Sequence, residues 1–217
     1  MLQTDTYRHK GMRRQLVEEL RSKNLFSEEV LEAIQRIPRH FFLDKAFEEW
    51  AYQDKPFPIG HEQTISQPFT VALMTQHLQV KKREKILEIG TGSGYQAAIL
   101  ATLGARIYTI ERVRALYLSS KALLKEMNFP NIQFFYKDGY LGLPSFAPYD
   151  KIIVTAGAPE IPSLLLQQLS IGGIMLVPTG VEIQKLLRIE RTGEKSWETK
   201  DLGNVKFVPF LAGTRPH

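Results

Sequence analysis

The segment that most restricts the fold of this chain is residues 88–95, Glu-Ile-Gly-Thr-Gly-Ser-Gly-Tyr, in which glycine alternates with other residues from Gly90 to Gly94. Residues 85–90 before it have the pattern of a short buried strand, and residues 96–104 after it that of an apolar helix. Glycine at such a junction permits a tight turn and lets the backbone approach a ligand closely. Because a purely structural turn does not require three alternating glycines, we interpret this one as a ligand-binding loop.

Strand-like and helix-like segments continue to alternate after this loop. Such alternation predicts βαβ units and a mostly parallel sheet covered by helices on both faces. Two last strand-like segments have no clear helix between them, which predicts an antiparallel edge. The expected fold class is therefore α/β, a Rossmann-like doubly wound sheet with N-terminal helices. The predicted strands are 85–90, 106–111, 131–139, 150–157, 173–178, 185–191 and 205–210, and the helices are 96–104, 112–127 and 161–169.

Residues 1–50 carry apolar side chains at helical spacing among charged ones, which predicts two amphipathic helices. Ser27 is a suitable N-cap for the second helix, and Pro38 ends it. A chain of 217 residues is expected to form one compact domain. In it, residues 1–80 supply the N-terminal helices and an active-site loop, and residues 81–217 the α/β core. The helical apolar positions are Met12, Leu16, Val17 and Leu20, then Val30, Leu31, Ile34 and Ile37.

Residues 51–68 contain three prolines and one glycine among polar groups and show little periodicity. Long loops inside compact domains are usually functional or disordered, and the apolar side chains here argue against disorder. We therefore predict a functional loop. The following residues predict a helix from about Pro68 to Leu78, with Val71, Met74 and Leu78 on one face.

Composition excludes several classes of protein. The chain has no cysteine, which rules out disulfides, cysteine-ligated zinc and a thiolate nucleophile, and no other metal-ligand cluster stands out. The net charge of +5 is a mild bias for this length. Residues 1–10 lack the apolar core of a secretory signal, and no apolar run approaches the roughly 20 residues of a membrane-spanning helix. We expect a soluble, cytoplasmic protein.

Acidic residues stand at the carboxyl ends of three predicted strands, at the sheet edge where doubly wound folds bind ligands. They are Glu88, Glu111 and Asp138, the last followed by Gly139, and Thr155 ends the fourth strand. Carboxylates at these ends suit the ammonium, ribose and adenine amine of S-adenosylmethionine in turn. Taken alone, Asp138-Gly139 is equally typical of a turn.

Two cofactors are compatible with the glycine loop itself. Residues 92–97 fit the GxGxxA fingerprint of dinucleotide-binding proteins, and Glu111 lies at the distance expected for an acid that holds ribose hydroxyls. Counted from Gly90, the pattern is GxGxG, which resembles the first motif of S-adenosylmethionine-dependent methyltransferases. A carboxylate at Glu88 suits a cationic sulfonium and gains nothing from a pyrophosphate. We favour S-adenosylmethionine.

Residues 58–68, PIGHEQTISQP, closely resemble the signature segment of the protein-L-isoaspartate O-methyltransferases. Further segments are similar to that family in sequence and order, and the resemblance, closest to the bacterial branch, runs from about residue 8 to residue 213. It implies a Rossmann-like methyltransferase fold. These further segments are 38–47, 88–95, 152–156, 160–162 and 207–210.

The resemblance implies a repair reaction. S-adenosylmethionine methylates the α-carboxylate of an L-isoaspartyl residue in a damaged protein or peptide, leaving S-adenosylhomocysteine, and the ester then closes to a succinimide. D-aspartyl residues are a weaker expected substrate. A carboxylate with a pKa of about 4 is already ionised at neutral pH, so the reaction needs orientation rather than a general base.

The family pattern places Ser66 in the active site, where we expect its hydroxyl to orient the substrate carboxylate. Ser66 also stands two residues before Pro68, where serine is a favoured helix N-cap, and both roles stay open. His61 is left out of the catalytic set. The expected cofactor-binding residues are Thr64, Ile65, Ser66, Glu88, Gly90, Thr91, Gly92, Ser93, Gly94, Glu111, Arg112, Asp138, Gly139 and Thr155.

Three other functions are compatible with parts of the sequence. Basic stretches at 8–14 and 81–85 allow a nucleic-acid methyltransferase, but they are interleaved with acids, and residues 155–157 lack the motif of amine-methylating enzymes. The GxGxxA pattern allows a nicotinamide-dependent oxidoreductase, and a non-enzymatic sensor of damaged chains is a third class. We expect peptide and protein substrates, no nucleic-acid or membrane partner, and a monomer or weak dimer.

Overall fold

A computed structural model describes residues 4–216. The two predicted parts, 1–80 and 81–217, each extend slightly beyond this range, and residues 1–3 and 217 lie outside the described residues. The N-terminal region forms two helices, α1 (Tyr7–Arg21) and α2 (Glu28–Arg36), followed by short 3₁₀ turns. Ser27 occupies the N-cap position of α2 as predicted, although its side chain makes no capping hydrogen bond. Helix α2 ends just before Pro38.

A seven-stranded sheet forms the centre of the molecule. From one edge to the other its strands are β5 (Ile132–Tyr136), β4 (Arg106–Glu111), β3 (Lys85–Ile89), β6 (Tyr149–Val154), β7 (Leu169–Thr179), β8 (Gln184–Arg191) and β9 (Trp197–Val205). Strands β5 to β7 in this order run parallel and the last two run antiparallel, so the predicted parallel sheet with an antiparallel edge is confirmed.

Helices cover the sheet, and its side chains alternate between two hydrophobic clusters. Ile86 and Ile107 join the cluster that holds the N-terminal helices, whereas Leu87 and Tyr108 join the cluster on the opposite face. Both faces are buried, because side chains in a strand point alternately to opposite sides. No helix among residues 4–216 is long and apolar enough to cross a membrane. The remaining helices are α3 (Pro68–Leu78), α4 (Tyr95–Thr102), α5 (Arg114–Glu126) and α6 (Ser163–Leu166).

The segment at 51–68 is more ordered than a loop. It contains an antiparallel hairpin of β1 (Phe57–Gly60) and β2 (Gln63–Ile65), whose tip residues His61 and Glu62 have positive φ angles. Helix α3 then begins and ends where predicted, and its three predicted core residues are buried. The hairpin escapes sequence analysis because each strand is too short to show a period.

Two predicted elements after residue 160 are wrong. The helix expected at 161–169 is a single turn, Ser163–Leu166, because β7 already begins at Leu169. The last strand is Trp197–Val205 and not 205–210. Strand β9 is a mostly exposed edge strand with a polar sequence, so it lacks the apolar run that indicates a buried strand. Residues 206–210 are instead an extended segment that crosses the strand ends.

Candidate cofactor and substrate site

The glycine loop after β3 adopts a conformation that side chains would prevent. Gly90, Gly92 and Gly94 have φ angles of +95°, +53° and +90°, in the left-handed region that favours glycine. A Cβ on Gly90 would lie 2.5 Å from Oγ1 of Thr155, and one on Gly94 would lie 2.8 Å from Cδ1 of Leu124. Residues 90–93 of this loop border a space above the sheet.

That space is a cavity at the carboxyl ends of β3, β4 and β6. Of the residues expected to bind a cofactor, all line it except Glu88, Gly94 and Asp138. The expected lining residues are Thr64, Ile65, Ser66, Gly90, Thr91, Gly92, Ser93, Glu111, Arg112, Gly139 and Thr155. Sequence reasoning missed Gln63, Val71, Ile89, Tyr95, Gln96, Ile110, Ala156, Val208, Pro209, Phe210 and Leu211.

Glu111 is the acid that the structure brings to the cavity wall. Its carboxylate accepts hydrogen bonds from the backbone N–H groups of Gly92 and Val113, each over 2.8 Å. Burial raises the pKa of Glu111, and these two bonds oppose that rise. A dinucleotide pyrophosphate binds through free N–H groups at such a loop, whereas here Gly92 already has a carboxylate partner. This arrangement argues against the nicotinamide alternative.

Glu88 lies beneath the loop and not on the cavity wall. The Thr109 hydroxyl donates to its Oε2, while Oε1 has no hydrogen-bond partner among the described residues. Burial is the main reason that the pKa of Glu88 is raised to about 8, and the nearby Glu111 adds to the effect. Because Glu88 is buried beneath the loop and does not line the cavity, its carboxyl group does not contact the cavity space directly.

Asp138 does not line the cavity either, and its carboxylate accepts hydrogen bonds from backbone N–H groups. Its Oδ1 accepts the N–H of Tyr140, 2.9 Å away, and its Oδ2 accepts the N–H of Gly213, 2.7 Å away. The first bond is the turn that an Asp-Gly pair typically makes, so the turn interpretation of this dipeptide is confirmed. The second bond connects this strand end to the C-terminal part of the chain.

Residues 207–215, the C-terminal segment, run across the ends of several strands. The N–H of Gly157 donates to Val208 and its carbonyl accepts from Phe210, and the Arg112 guanidinium donates to the Gly213 carbonyl. Arg215 then reaches the tip of the hairpin, where it pairs with Glu62 at 3.1 Å. The segment forms one side of the cavity, which residue spacing alone does not reveal.

Ser66 lies at the end of the hairpin, just before α3. The N-cap of that helix is Gln67, and Asp54 accepts the Phe69 N–H at 2.7 Å, so Ser66 is not the cap. Within residues 4–216 its hydroxyl makes no hydrogen bond. A half-buried hydroxyl without a protein partner is available to a ligand.

A second cavity adjoins the first at Ser66. Their common wall consists of Thr64, Ser66, Thr155, Val208 and Pro209. The second cavity is a wider groove of about 840 Å³, with both apolar and polar side chains along it. Two ligands bound side by side would therefore meet at this wall. The groove is otherwise lined by Pro56, Gln67, Phe69, Thr70, Leu73, Asn204, Val205, Lys206 and Phe207.

Comparison with known proteins decides between the alternatives that the glycine pattern left open. The sequence profile of the family described as protein-L-isoaspartate(D-aspartate) O-methyltransferase matches residues 11–215. The chain belongs to this family. It is 51% identical over 207 residues to the protein-L-isoaspartate O-methyltransferase of Christiangramia forsetii, covering 95% of this chain and 97% of that one. Its identity to the enzyme of Dictyoglomus thermophilum is 48%, over 95% and 93% of the two chains.

Solved structures of the same family have the same fold. One protein-L-isoaspartate O-methyltransferase superposes with a TM-score of 0.84 and 29% identity, over 91% of this chain and 65% of that one. A protein from Plasmodium falciparum, solved with S-adenosyl-L-homocysteine, has a TM-score of 0.82 and 23% identity, over 92% and 98%. The fold of a protein-L-isoaspartate O-methyltransferase therefore extends over nearly the whole chain.

Proposed function

We propose that this chain is a repair enzyme that transfers the methyl group of S-adenosylmethionine to the α-carboxylate of L-isoaspartyl residues in damaged proteins and peptides. The ester then proceeds to a succinimide. The observation that carries the proposal is the free Ser66 hydroxyl on the wall between the two cavities. Membership of the family and relatives named for this activity, at about 50% identity, support it.

The described residues fit S-adenosylmethionine in the first cavity. The buried carboxylate of Glu111 lines this cavity and suits ribose hydroxyl groups, and the glycine loop contributes backbone from Gly90 to Ser93 to the same wall. When bound, this cofactor supplies a methyl group on a cationic sulfur. We assign Thr64, Ile65 and the cavity-lining residues of the loop to holding it. Glu88 and Asp138 would act from outside the wall, Glu88 by accepting the Thr109 hydroxyl beneath the loop and Asp138 by fixing the C-terminal segment.

The chain's own task in the reaction is orientation. An isoaspartyl carboxylate is ionised at neutral pH and needs no base, so the Ser66 hydroxyl would donate a hydrogen bond to one carboxylate oxygen and leave the other free to react. Val208 lies on the same wall, and its N–H has no acceptor in residues 4–216. These two donors would hold the carboxylate between the cavities.

Substrate recognition through the main chain suits the groove. Damaged sites occur in varied sequences, and an extended peptide along residues 205–210 could bind through backbone groups with few demands on side chains. The expected partners are therefore isoaspartyl peptides and proteins. We propose a monomer or weak dimer as the working form, and residues 1–80 and 81–217 as its two parts.

The test uses methyl-labelled S-adenosylmethionine and two peptides that differ only in aspartyl or isoaspartyl linkage. We expect a labile methyl ester on the isoaspartyl peptide alone. Ser66→Ala should lower kcat/KM for that peptide by roughly 10- to 100-fold, the effect of one hydrogen bond to a charged group. Ser22→Ala, at an exposed position after α1, is the matched control. Cofactor binding without transfer to either peptide would disprove the function, and an RNA substrate in parallel would reveal the nucleic-acid alternative.

A further inference from the structure

One side chain holds the backbone of the C-terminal segment beside the common wall. The carboxamide of Gln184 accepts the Phe207 N–H through Oε1 over 2.7 Å and donates to the Phe207 carbonyl through Nε2 over 3.1 Å. The backbone of Gln184 itself pairs with Val205, the last residue of β9. The side chain therefore continues the strand ladder beyond the point where the strand ends.

Phe207 directly precedes the two wall residues that border both cavities, Val208 and Pro209. Gly157 holds the same stretch from the other direction, with its N–H 2.8 Å from the Val208 carbonyl and its own carbonyl 2.8 Å from the Phe210 N–H. The position of this wall is thus determined by two partners. Gly157 belongs to the turn after β6, whereas Gln184 belongs to the antiparallel edge.

The two partners are also in steric contact with each other. A Cβ on Gly157 would lie 2.2 Å from Nε2 of Gln184. The φ angle of Gly157 is not in the left-handed region, so its backbone conformation does not require glycine. Glycine is required there because a side chain would collide with Gln184. A glycine at this position leaves room for the carboxamide that binds Phe207.

We propose that Gln184 is a positioning residue for methyl transfer, which acts through Phe207 to place the Val208–Pro209 wall against the substrate. This inference rests on the proposed function. A carboxamide is required because the Phe207 backbone presents one donor and one acceptor at once. Loss of the carboxamide would let the wall move, which weakens peptide binding and carboxylate alignment while the glycine loop still holds the cofactor.

The test measures kcat and KM for the isoaspartyl peptide and the Kd of S-adenosylhomocysteine in Gln184→Met and Gln184→Glu. The Met variant keeps the length of the side chain without either bond, and the Glu variant sets an acceptor against the Phe207 carbonyl. We expect kcat/KM to fall by about tenfold in both, with the Kd of S-adenosylhomocysteine changed by less than about twofold. Gln133→Met, an exposed glutamine on β5, is the control.

A second variant separates positioning from general stability. Gly157→Ala should displace the carboxamide and lower kcat/KM similarly, and the double variant Gly157→Ala/Gln184→Met should be little worse than either alone. Additive losses, or a lower thermal midpoint with kcat/KM unchanged at 25 °C, would overturn the role of Gln184. Absence of transfer by the unaltered chain would instead disprove the proposed function, so the two failures are distinguishable.

Discussion

The carboxylate of Glu111 accepts the backbone N–H of Gly92 over 2.8 Å, so the last residue of β4 fixes the conformation of the glycine loop after β3. Both residues line the same cavity. One side chain thus shapes the loop and lines the cavity with a carboxylate.

Glu111→Gln should weaken S-adenosylhomocysteine binding by about tenfold or more, because an amide cannot accept from Gly92 and Val113 at once and offers less to ribose hydroxyls. Isothermal titration calorimetry measures the change. Glu198→Gln, on the exposed edge strand, should bind like the unaltered chain. Equal affinity in the two variants would contradict a role for Glu111 at the cofactor.

Glu88 should make the stability of the chain fall as pH rises. Its pKa is about 8 in the folded protein and 4.5 when unfolded, so between these values only the folded state keeps the proton. In Glu88→Gln this loss should be absent. The free energy of unfolding of the variant should therefore rise relative to that of the unaltered chain by on the order of 1 kcal/mol per pH unit over this range. Urea unfolding at pH 5, 6, 7 and 8 without cofactor measures the difference, and parallel profiles would rule the idea out.

His40 should have the opposite effect at acid pH. Its ring is buried, lies 3.9 Å from that of His9 between centroids, and has a pKa lowered by burial to about 4. Since the unfolded value is 6.5, the folded state loses stability as pH falls from 6.5 to 4. His40→Gln cannot take up the proton and should show a smaller loss in urea unfolding, whereas His61→Gln, at the exposed hairpin tip, should behave like the unaltered chain. Equal acid losses in all three proteins would contradict this prediction.

Gly139→Ala should disturb the side of the cavity formed by Phe210. A Cβ there would lie 2.5 Å from Cγ2 of Ile89 and 3.2 Å from Cε2 of Phe210, whose ring stacks on Tyr140 at 4.1 Å. We expect a loss of roughly 1–3 kcal/mol in the free energy of unfolding and weaker S-adenosylhomocysteine binding. Gly11→Ala should instead raise the free energy of unfolding by up to about 1 kcal/mol, because Gly11 lies inside α1 and an added Cβ would meet no atom within 4 Å. If both alanine variants changed the free energy of unfolding in the same direction, local crowding at Gly139 would not be the cause of the change.

Features with a local sequence signal were predicted from the sequence. The three loop glycines and helix α3 are recognisable from residues close to them in the sequence, and apolar runs reveal the parallel strands because both their faces are buried. The roles of Asp138 and Gln184 could not be foreseen, since their partners Gly213 and Phe207 lie 75 and 23 residues further along the chain. Strand β9 was misplaced because an exposed edge strand has no apolar pattern to find.

The bonds from residues 207–215 to Gly157, Asp138 and Arg112 have a consequence for synthesis. A ribosome makes these residues after every strand of the sheet, so a nascent chain has its glycine loop and Glu111 long before it has the wall at Val208. Such a chain would have a cofactor cavity open on one side and an incomplete substrate groove. Competence for methyl transfer would then be acquired in one step, once residues 207–215 have been made and have paired, and products interrupted before them would remain inactive.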